Sequence, residues 1–261
     1  MSVVELRGAG RSFGKGHTEV VALHPATLTV EAGELLAVMG PSGSGKTTLL
    51  SLVGGLDRPT TGQVVVADQD VGRLDPRGLA ILRRRIVGYV FQDLNLLAGL
   101  TAIENVSLPL ELDGRPLSEA RSAARQALAS VGLADLEHRF PDDLSGGEQQ
   151  RVAIARALVG GRRILLADEP TGALDSMTGE TVMRLLRAQC DAGGTAILVT
   201  HDAAHAAWAD RVVFLRDGRV VDEARPDTGP EFAAAATAVP RPVGASAPLS
   251  GLGPITGRDA A

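Results

Sequence analysis

Residues 35 to 56, LLAVMGPSGSGKTTLLSLVGGL, constrain this chain more than any other stretch. An uninterrupted apolar run, LLAVM, meets a glycine-rich loop, and a helical pattern opens directly behind it. The loop, GPSGSGKT at residues 40 to 47, has the spacing G-x-x-x-x-G-K-[ST], which carries meaning only between a strand and a helix. Here it has both neighbours. Its glycines allow successive backbone N–H groups to turn inward around a phosphate, and the helix start adds partial positive charge. Gly40, Ser42, Gly43, Ser44, Gly45, Lys46, Thr47 and Thr48 are therefore the candidate phosphate contacts. Lys46 is predicted to reach the β- and γ-phosphates of a nucleoside triphosphate, and the Thr47 hydroxyl to ligate Mg2+.

Lysine usage points the same way. Of 26 Lys+Arg, only Lys15 and Lys46 are lysines, so nearly every basic position has become arginine. Arginine's planar fork needs room for five donors, whereas an ammonium is a compact point charge. A tight ring of backbone amides admits only the second.

The 261 residues suffice for one large domain or two small ones, and 44% hydrophobic content is ample for a buried core. A net charge of -5 argues against nucleic acid as the main partner. The one cysteine, Cys190, rules out an internal disulfide framework and fits a reducing cytosol. The start, MSVVELRGAGRSFG, has no basic segment followed by an apolar one, and no run of about 18 apolar residues occurs. The expectation is a chain that is neither secreted nor membrane-spanning on its own.

Strand and helix signals give the organisation. VVEL (3 to 6), TLTV (27 to 30) and QVVVA (63 to 67) read as strands of a small antiparallel sheet near the N-terminus. LLAVM (35 to 39), IVGYVF (86 to 91), ILLA (164 to 167) and AILVT (196 to 200) are continuous apolar runs, as in parallel strands covered on both faces. Helices are predicted over 47 to 56 and 178 to 190. Residues 93 to 160 break the alternation, with two helical segments and no strand between them, and read as a helical insert. VVFLRDGRVV (212 to 221) has an Asp-Gly pair between apolar arms and reads as a hairpin. From about residue 226 to 261, Pro, Gly, Ala and Ser dominate without periodicity, the composition of a disordered tail.

Two further stretches carry chemistry. ILLADEP (164 to 170) ends an apolar strand in adjacent carboxylates, for which a purely structural account has little use. Asp168 suits contact with the metal, and Glu169 suits polarising an attacking water. LSGGEQQ (144 to 150) places Ser145, Gly146, Gly147 and Glu148 at a helix start, which reads either as a second anion site or as an ordinary N-cap.

GPSGSGKT, LSGGE and ILLADEP in this order resemble the ATP-binding subunits of ABC transporters, over about residues 3 to 223. The resemblance implies an α/β fold: a P-loop NTPase (RecA-like) core with an N-terminal antiparallel β subdomain and an inserted α-helical subdomain at about 93 to 160, within a domain of residues 1 to 225. It gives Phe13 the role of the aromatic stacked on adenine, Gln92 that of the Q-loop residue near metal and water, Asp175 that of the D-loop, and His201 that of the switch histidine. Alone, Phe13 reads equally as a core aromatic, Asp175 as a helix cap and His201 as a surface histidine.

FQDLNLLAGLTAIENVSLPLEL (91 to 112) with PTGALDSMTGE (170 to 180) looks like the lipoprotein-releasing and macrolide-exporter branch, which works with FtsX-like permeases. Thr47 and Phe13 depart from that branch, where serine and tyrosine are usual, yet keep the hydroxyl and the stacking face. The resemblance implies ATP and Mg2+ as ligands, a homodimer closing across two ATP molecules, an integral membrane permease as partner, no nucleic acid, and a place on the cytoplasmic face of the membrane. An importer subunit for a small polar solute, and a signalling subunit of the cell-division type, are the alternatives. LNLLAGLTAIENVSLPL (94 to 110) is either a groove for a permease helix or core packing; RRR (83 to 85) is either a lipid-headgroup contact or a solvated helix face.

Overall fold

The computed structural model describes residues 1–172, 174 and 176–225, with the backbone only at 176 and 177. Asp175 and the residue 226–261 tail lie outside the described residues. In chain order the first elements are β1 (Ser2–Phe13), β2 (Val20–Glu31), β3 (Leu35–Met39), α1 (Lys46–Val53), β4 (Thr61–Val66) and β5 (Gln69–Asp70). There follow α2 (Pro76–Arg85), β6 (Val87–Val90), α3 (Ala102–Glu111), α4 (Leu117–Ser130) and α5 (Gly146–Leu158). The last are β7 (Ile164–Asp168), α6 (Ser176–Asp191), β8 (Thr195–Val199), α7 (Ala203–Ala206), β9 (Arg211–Arg216) and β10 (Arg219–Ala224).

Two sheets result. The first is antiparallel in the order β2-β1-β4-β5. The second, β10-β9-β3-β8-β7-β6, is parallel except for the β9–β10 hairpin at its edge. Alternate residues of the apolar runs sort to opposite faces of this second sheet. Leu35, Ala37, Leu165 and Leu198 pack against α3 to α6, while Leu36, Val38, Leu166 and Val199 pack against α1 and the antiparallel sheet. Burial on both faces is why these strands read as unbroken hydrophobic sequence.

β1 and β2 are longer than their sequence signals. Residues 7 to 13 lack alternation but still pair with β2, through register shifts around Gly8 and Gly10. Gly62 on β4 sits so close to β1 that a Cβ there would lie 2.0 Å from the Gly8 carbonyl oxygen.

The helical insert contains a third helix, α3, that periodicity did not indicate. Its start is a capping box: the Thr101 N–H and hydroxyl donate to Glu104 Oε2 at 3.0 and 2.8 Å. Thr-x-x-Glu was visible in the sequence, but Pro109 and the β-branched residues inside the segment obscured the helix. Ile103, Val106 and Leu110 enter the core while Leu97 remains 49% exposed, so 94 to 110 divides between packing and surface.

The triple arginine ends α2, and each side chain meets a protein partner. Arg83 Nη1 donates to the Gly55 carbonyl at 2.6 Å, and Arg84 and Arg85 both lie against Asp113. Arg83 and Arg84 are half-buried by these contacts while Arg85 stays exposed, so residues 83 to 85 form a partly solvated face with protein partners. Cys190 is buried on α6, and burial pushes its thiol up to about 12. Among the described residues no helix is long and apolar enough to cross a membrane.

Candidate functional site

The loop between β3 and α1 is held open by glycines where other residues would collide. Gly45 has φ +97, and a Cβ there would lie 2.4 Å from the Ala22 carbonyl oxygen. A Cβ on Gly40 would lie 2.1 Å from the Leu215 carbonyl oxygen. The loop is thus clamped between β2 and the end of β9. The β9–β10 turn completes the clamp, with Gly218 N–H donating to the Ser44 carbonyl at 3.1 Å and His24 N–H donating to the Gly218 carbonyl at 2.8 Å. The sequence marked Asp217-Gly218 as a turn, but nothing in it linked that turn to residue 44.

Lys46 is 8% exposed and curls back over the loop, donating from Nζ to the Gly40 and Pro41 carbonyls at 2.8 and 2.9 Å. The Ser44 hydroxyl is buried and has no hydrogen-bond partner. The Thr47 hydroxyl bonds to Asp168, which ends β7 at 4% exposure. Asp168 Oδ1 is likewise buried without a partner. Burial raises the Asp168 carboxyl above the ordinary carboxylate range and the Glu169 charge adds to this, against the Thr47 bond and the Lys46 charge. Lys15, the other lysine, is exposed, so scarcity of lysine does not by itself mark this kind of enclosed position.

Glu169 has φ +47, a left-handed conformation uncommon outside glycine. Its N–H donates to the Val199 carbonyl at 2.9 Å, and its Oε1 lies 2.9 Å from Nδ1 of the exposed His201. Gln92 is exposed just beyond β6. Since β3, β8, β7 and β6 are consecutive parallel neighbours, the 40–47 loop, His201, Asp168 with Glu169, and Gln92 share one carboxyl edge of the sheet. That edge is where open α/β sheets bind ligands.

Phe13 reaches the same neighbourhood by another route. It ends β1 at 44% exposure and pairs with Val20, which is two residues from the Ala22 carbonyl that meets the loop. Ser42 and Gly43 are exposed on the loop, and Thr48 is half-buried in the first turn of α1. Ser145 caps α5: its hydroxyl accepts from Glu148 N–H at 3.3 Å, and Glu148 Oε2 accepts from Ser145 N–H at 2.7 Å. The Ser145 bonds hold the Glu148 carboxyl below the usual range, the backbone bond first. A Cβ on Gly146 would meet nothing within 4 Å, so the helix start is open to approach. Both sequence readings of Ser145 are therefore compatible, because a cap employs only some of the N-terminal donors.

Residues 23–172 match the family model described as ABC transporter. The chain belongs to the ABC transporter family. It is an ATPase cassette of that family. It is 48% identical over 241 residues to the macrolide export ATP-binding/permease protein MacB of Chromobacterium violaceum, which covers 87% of this chain and 37% of that protein. A MacB of Azoarcus sp. is 49% identical over 231 residues, covering 88% and 35%. The chain thus spans about a third of the length of these curated relatives. Among solved structures, the cassette MJ0796 in a dimeric post-hydrolysis state bound to ADP and Pi superimposes with a TM-score of 0.81 at 40% identity, covering 87% of this chain and 100% of that one. A second dimeric structure of MJ0796 gives a TM-score of 0.81 at 41% identity. The resemblance to the macrolide-exporter branch of ABC cassettes agrees with these identities.

Proposed function

We infer that this ABC cassette binds ATP at the β3–α1 loop and that two copies close around two ATP molecules to drive a membrane permease. The observation that carries the reading is a pair of buried polar atoms without partners of their own, one on the β3–α1 loop and one at the end of β7. Ser44 Oγ lies on the loop itself and Asp168 Oδ1 on the residue that the Thr47 hydroxyl bonds, and both are buried and unsatisfied. Such groups persist where a ligand completes them.

The residues also fit Mg2+. Thr47, Asp168 and Gln92 offer hard oxygen donors, and the orphaned Asp168 oxygen lacks any other partner. When bound, the ion would neutralise charge on the β- and γ-phosphate oxygens. Lys46 exchanges two loop carbonyls for phosphate oxygens, trading weak acceptors for charged ones. Glu169 accepts the proton of the attacking water. His201 fixes that carboxylate through Nδ1. Phe13 offers its exposed face to adenine.

Closure across two copies follows from geometry within one copy. Each chain presents two open anion-binding starts, one before α1 and one at α5. A terminal phosphate gripped by Lys46 still has a side for Ser145, Gly146 and Gly147 of a second chain, and Asp175 joins that interface in the family pattern. Loss of the γ-phosphate removes the contacts that favour the closed pair.

The permease role draws on the MacB relatives, whose names join ATP-binding and permease in one protein. The cassette is proposed to attach to the cytoplasmic face of the membrane through that permease. Export or extraction of a lipophilic substrate is the transport direction that the branch supports, and exposed Leu97, in the segment that follows Gln92, is the proposed permease contact. The domain is proposed as residues 1 to 225, with 226 to 261 as an appended tail.

Glu169→Gln keeps the side chain's shape and removes the base. With ATP and Mg2+ it should elute as a stable dimer in size-exclusion chromatography with light scattering, and hydrolyse ATP at under about 1% of the wild-type rate. A strictly monomeric profile at saturating ATP refutes the two-copy mechanism.

A further inference from the structure

Phe13 is not a bare ring. The guanidinium carbon of Arg11 lies over it, 4.5 Å from the ring centroid. The guanidinium is in turn gripped by Asp57 in a two-point fork, with Nε to Oδ2 at 2.8 Å and Nη2 to Oδ1 at 2.8 Å. Asp57 is itself fixed. Its N–H donates to the Ser51 carbonyl of α1 at 3.2 Å, and its Oδ1 accepts from Arg58 N–H at 2.8 Å. Thr60 ties the intervening residue to the same turn, its Oγ1 accepting from Ser12 N–H at 3.1 Å. A continuous chain of contacts therefore runs from the helix that carries Lys46 and Thr47, through Asp57 and Arg11, to the Phe13 ring.

This arrangement has chemical consequences for the ring. A fork bonded at two points to a carboxylate has its plane fixed, so the stack is directional and not a passing contact. Both partners are about three-quarters shielded, with side-chain exposures of 25% and 24%, which limits screening of the pair. A cation over one face draws on the ring's π density, and the opposite face is the one left for a base. Purines stack on aromatic faces with little demand for sequence or edge chemistry. A ring held by a fixed guanidinium loses less rotamer freedom when a base arrives.

We propose that Arg11, locked by Asp57, is the positioning residue for the nucleobase platform: it backs the Phe13 ring so that guanidinium, phenyl and adenine form three stacked layers. The inference rests on Phe13 being the adenine-stacking residue. Because Asp57 is anchored to α1, the platform and the phosphate loop keep a fixed separation, which sets the length of ligand they accept together.

The test separates base from phosphates. Binding of ATP and of inorganic tripolyphosphate, each with Mg2+, is measured by titration calorimetry on the full 261-residue chain and on Arg11→Met, Asp57→Asn and Phe13→Ala. Thermal unfolding accompanies each variant, and Asp57→Asn reaches the same stack from its other end should Arg11→Met fold poorly. Phe13→Ala should weaken ATP about tenfold or more and leave tripolyphosphate within about twofold. Arg11→Met and Asp57→Asn should weaken ATP about threefold to tenfold, again sparing tripolyphosphate. Equal loss for both ligands would mean that Arg11 acts by supporting α1 and overturns the proposal. If Phe13→Ala weakens ATP but Arg11→Met does not, the ring needs no backing: the proposal falls and the stacking assignment stands. If Phe13→Ala leaves ATP binding unchanged, the assignment itself falls and takes the proposal with it.

Discussion

Replacing Asp168 by asparagine should make the nucleotide-free protein more stable while abolishing its response to ATP with Mg2+. In the structure the carboxylate ends β7 at 4% exposure, beside Glu169, and one of its oxygens is buried without a partner. Burial and the neighbouring charge both disfavour the ionised form, as the raised pKa records. A buried unpaired polar group costs about 1–3 kcal/mol, more when charged. Asparagine keeps an oxygen for the Thr47 hydroxyl and removes the charge, but adds an N–H2 that needs acceptors. The net gain should therefore be about 1 kcal/mol, at the low end of that range. For a domain of this size that is a rise of about 2–4 °C in Tm. Nucleotide reverses the order. A ligand present at about 100 times its dissociation constant stabilises the folded state by about 2.7 kcal/mol, and that increment should appear in the wild type alone. Differential scanning fluorimetry of both proteins, with and without ATP and Mg2+, reads all four states. A nucleotide-free variant less stable than wild type would show that Asp168 is a structural anchor, and an undiminished shift with ATP and Mg2+ would remove it from the ligand set. Either result refutes the reasoning.

Two more expectations follow from local geometry. His201→Ala frees Glu169 Oε1 from its 2.9 Å partner and should lower kcat about a hundredfold or more with KM within about threefold, as read by steady-state phosphate release; a kcat within twofold of wild type would exclude the assigned role. Glu104→Gln dismantles the charged half of the α3 capping box and should cost about 0.5–1 kcal/mol at pH 7. The Thr101 backbone bond, then its hydroxyl, lowers the Glu104 pKa in the folded state, so its stabilisation is complete above the ordinary carboxylate value and is lost as pH falls through the lowered one. Wild type and variant should therefore converge in urea unfolding as the solution is acidified, whereas a difference independent of pH would show that the carboxylate charge is not involved.

Legibility followed the range of the interactions involved. The 40–47 loop could be read directly because its requirements are local: a strand end, glycines with positive φ, a lysine and a helix start. The strands β3, β7 and β8 were equally plain, since burial on both faces leaves no polar residue to interrupt them. The α3 helix was harder. Its capping box was present in the sequence, but Pro109 and β-branched residues argued against a helix that packing against α4 and α5 makes favourable. The partners of residues 83 to 85 could not be read from the sequence, because Gly55 and Asp113 lie about 28 positions away in the chain.

The sequence by itself determined which groups this ABC cassette can offer, because the glycine-rich loop, helix starts and terminal carboxylates are specified within a few consecutive residues. Only the tertiary structure decided what those groups meet. Glu169 faces His201, Arg11 lies over Phe13 with Asp57 behind it, and the Gly218 turn braces Ser44. Apart from the Arg11–Phe13 stack, which lies within β1, each of these contacts joins segments from different strands or turns, and their separation in space is set by sheet order and register, which no local pattern of residues encodes.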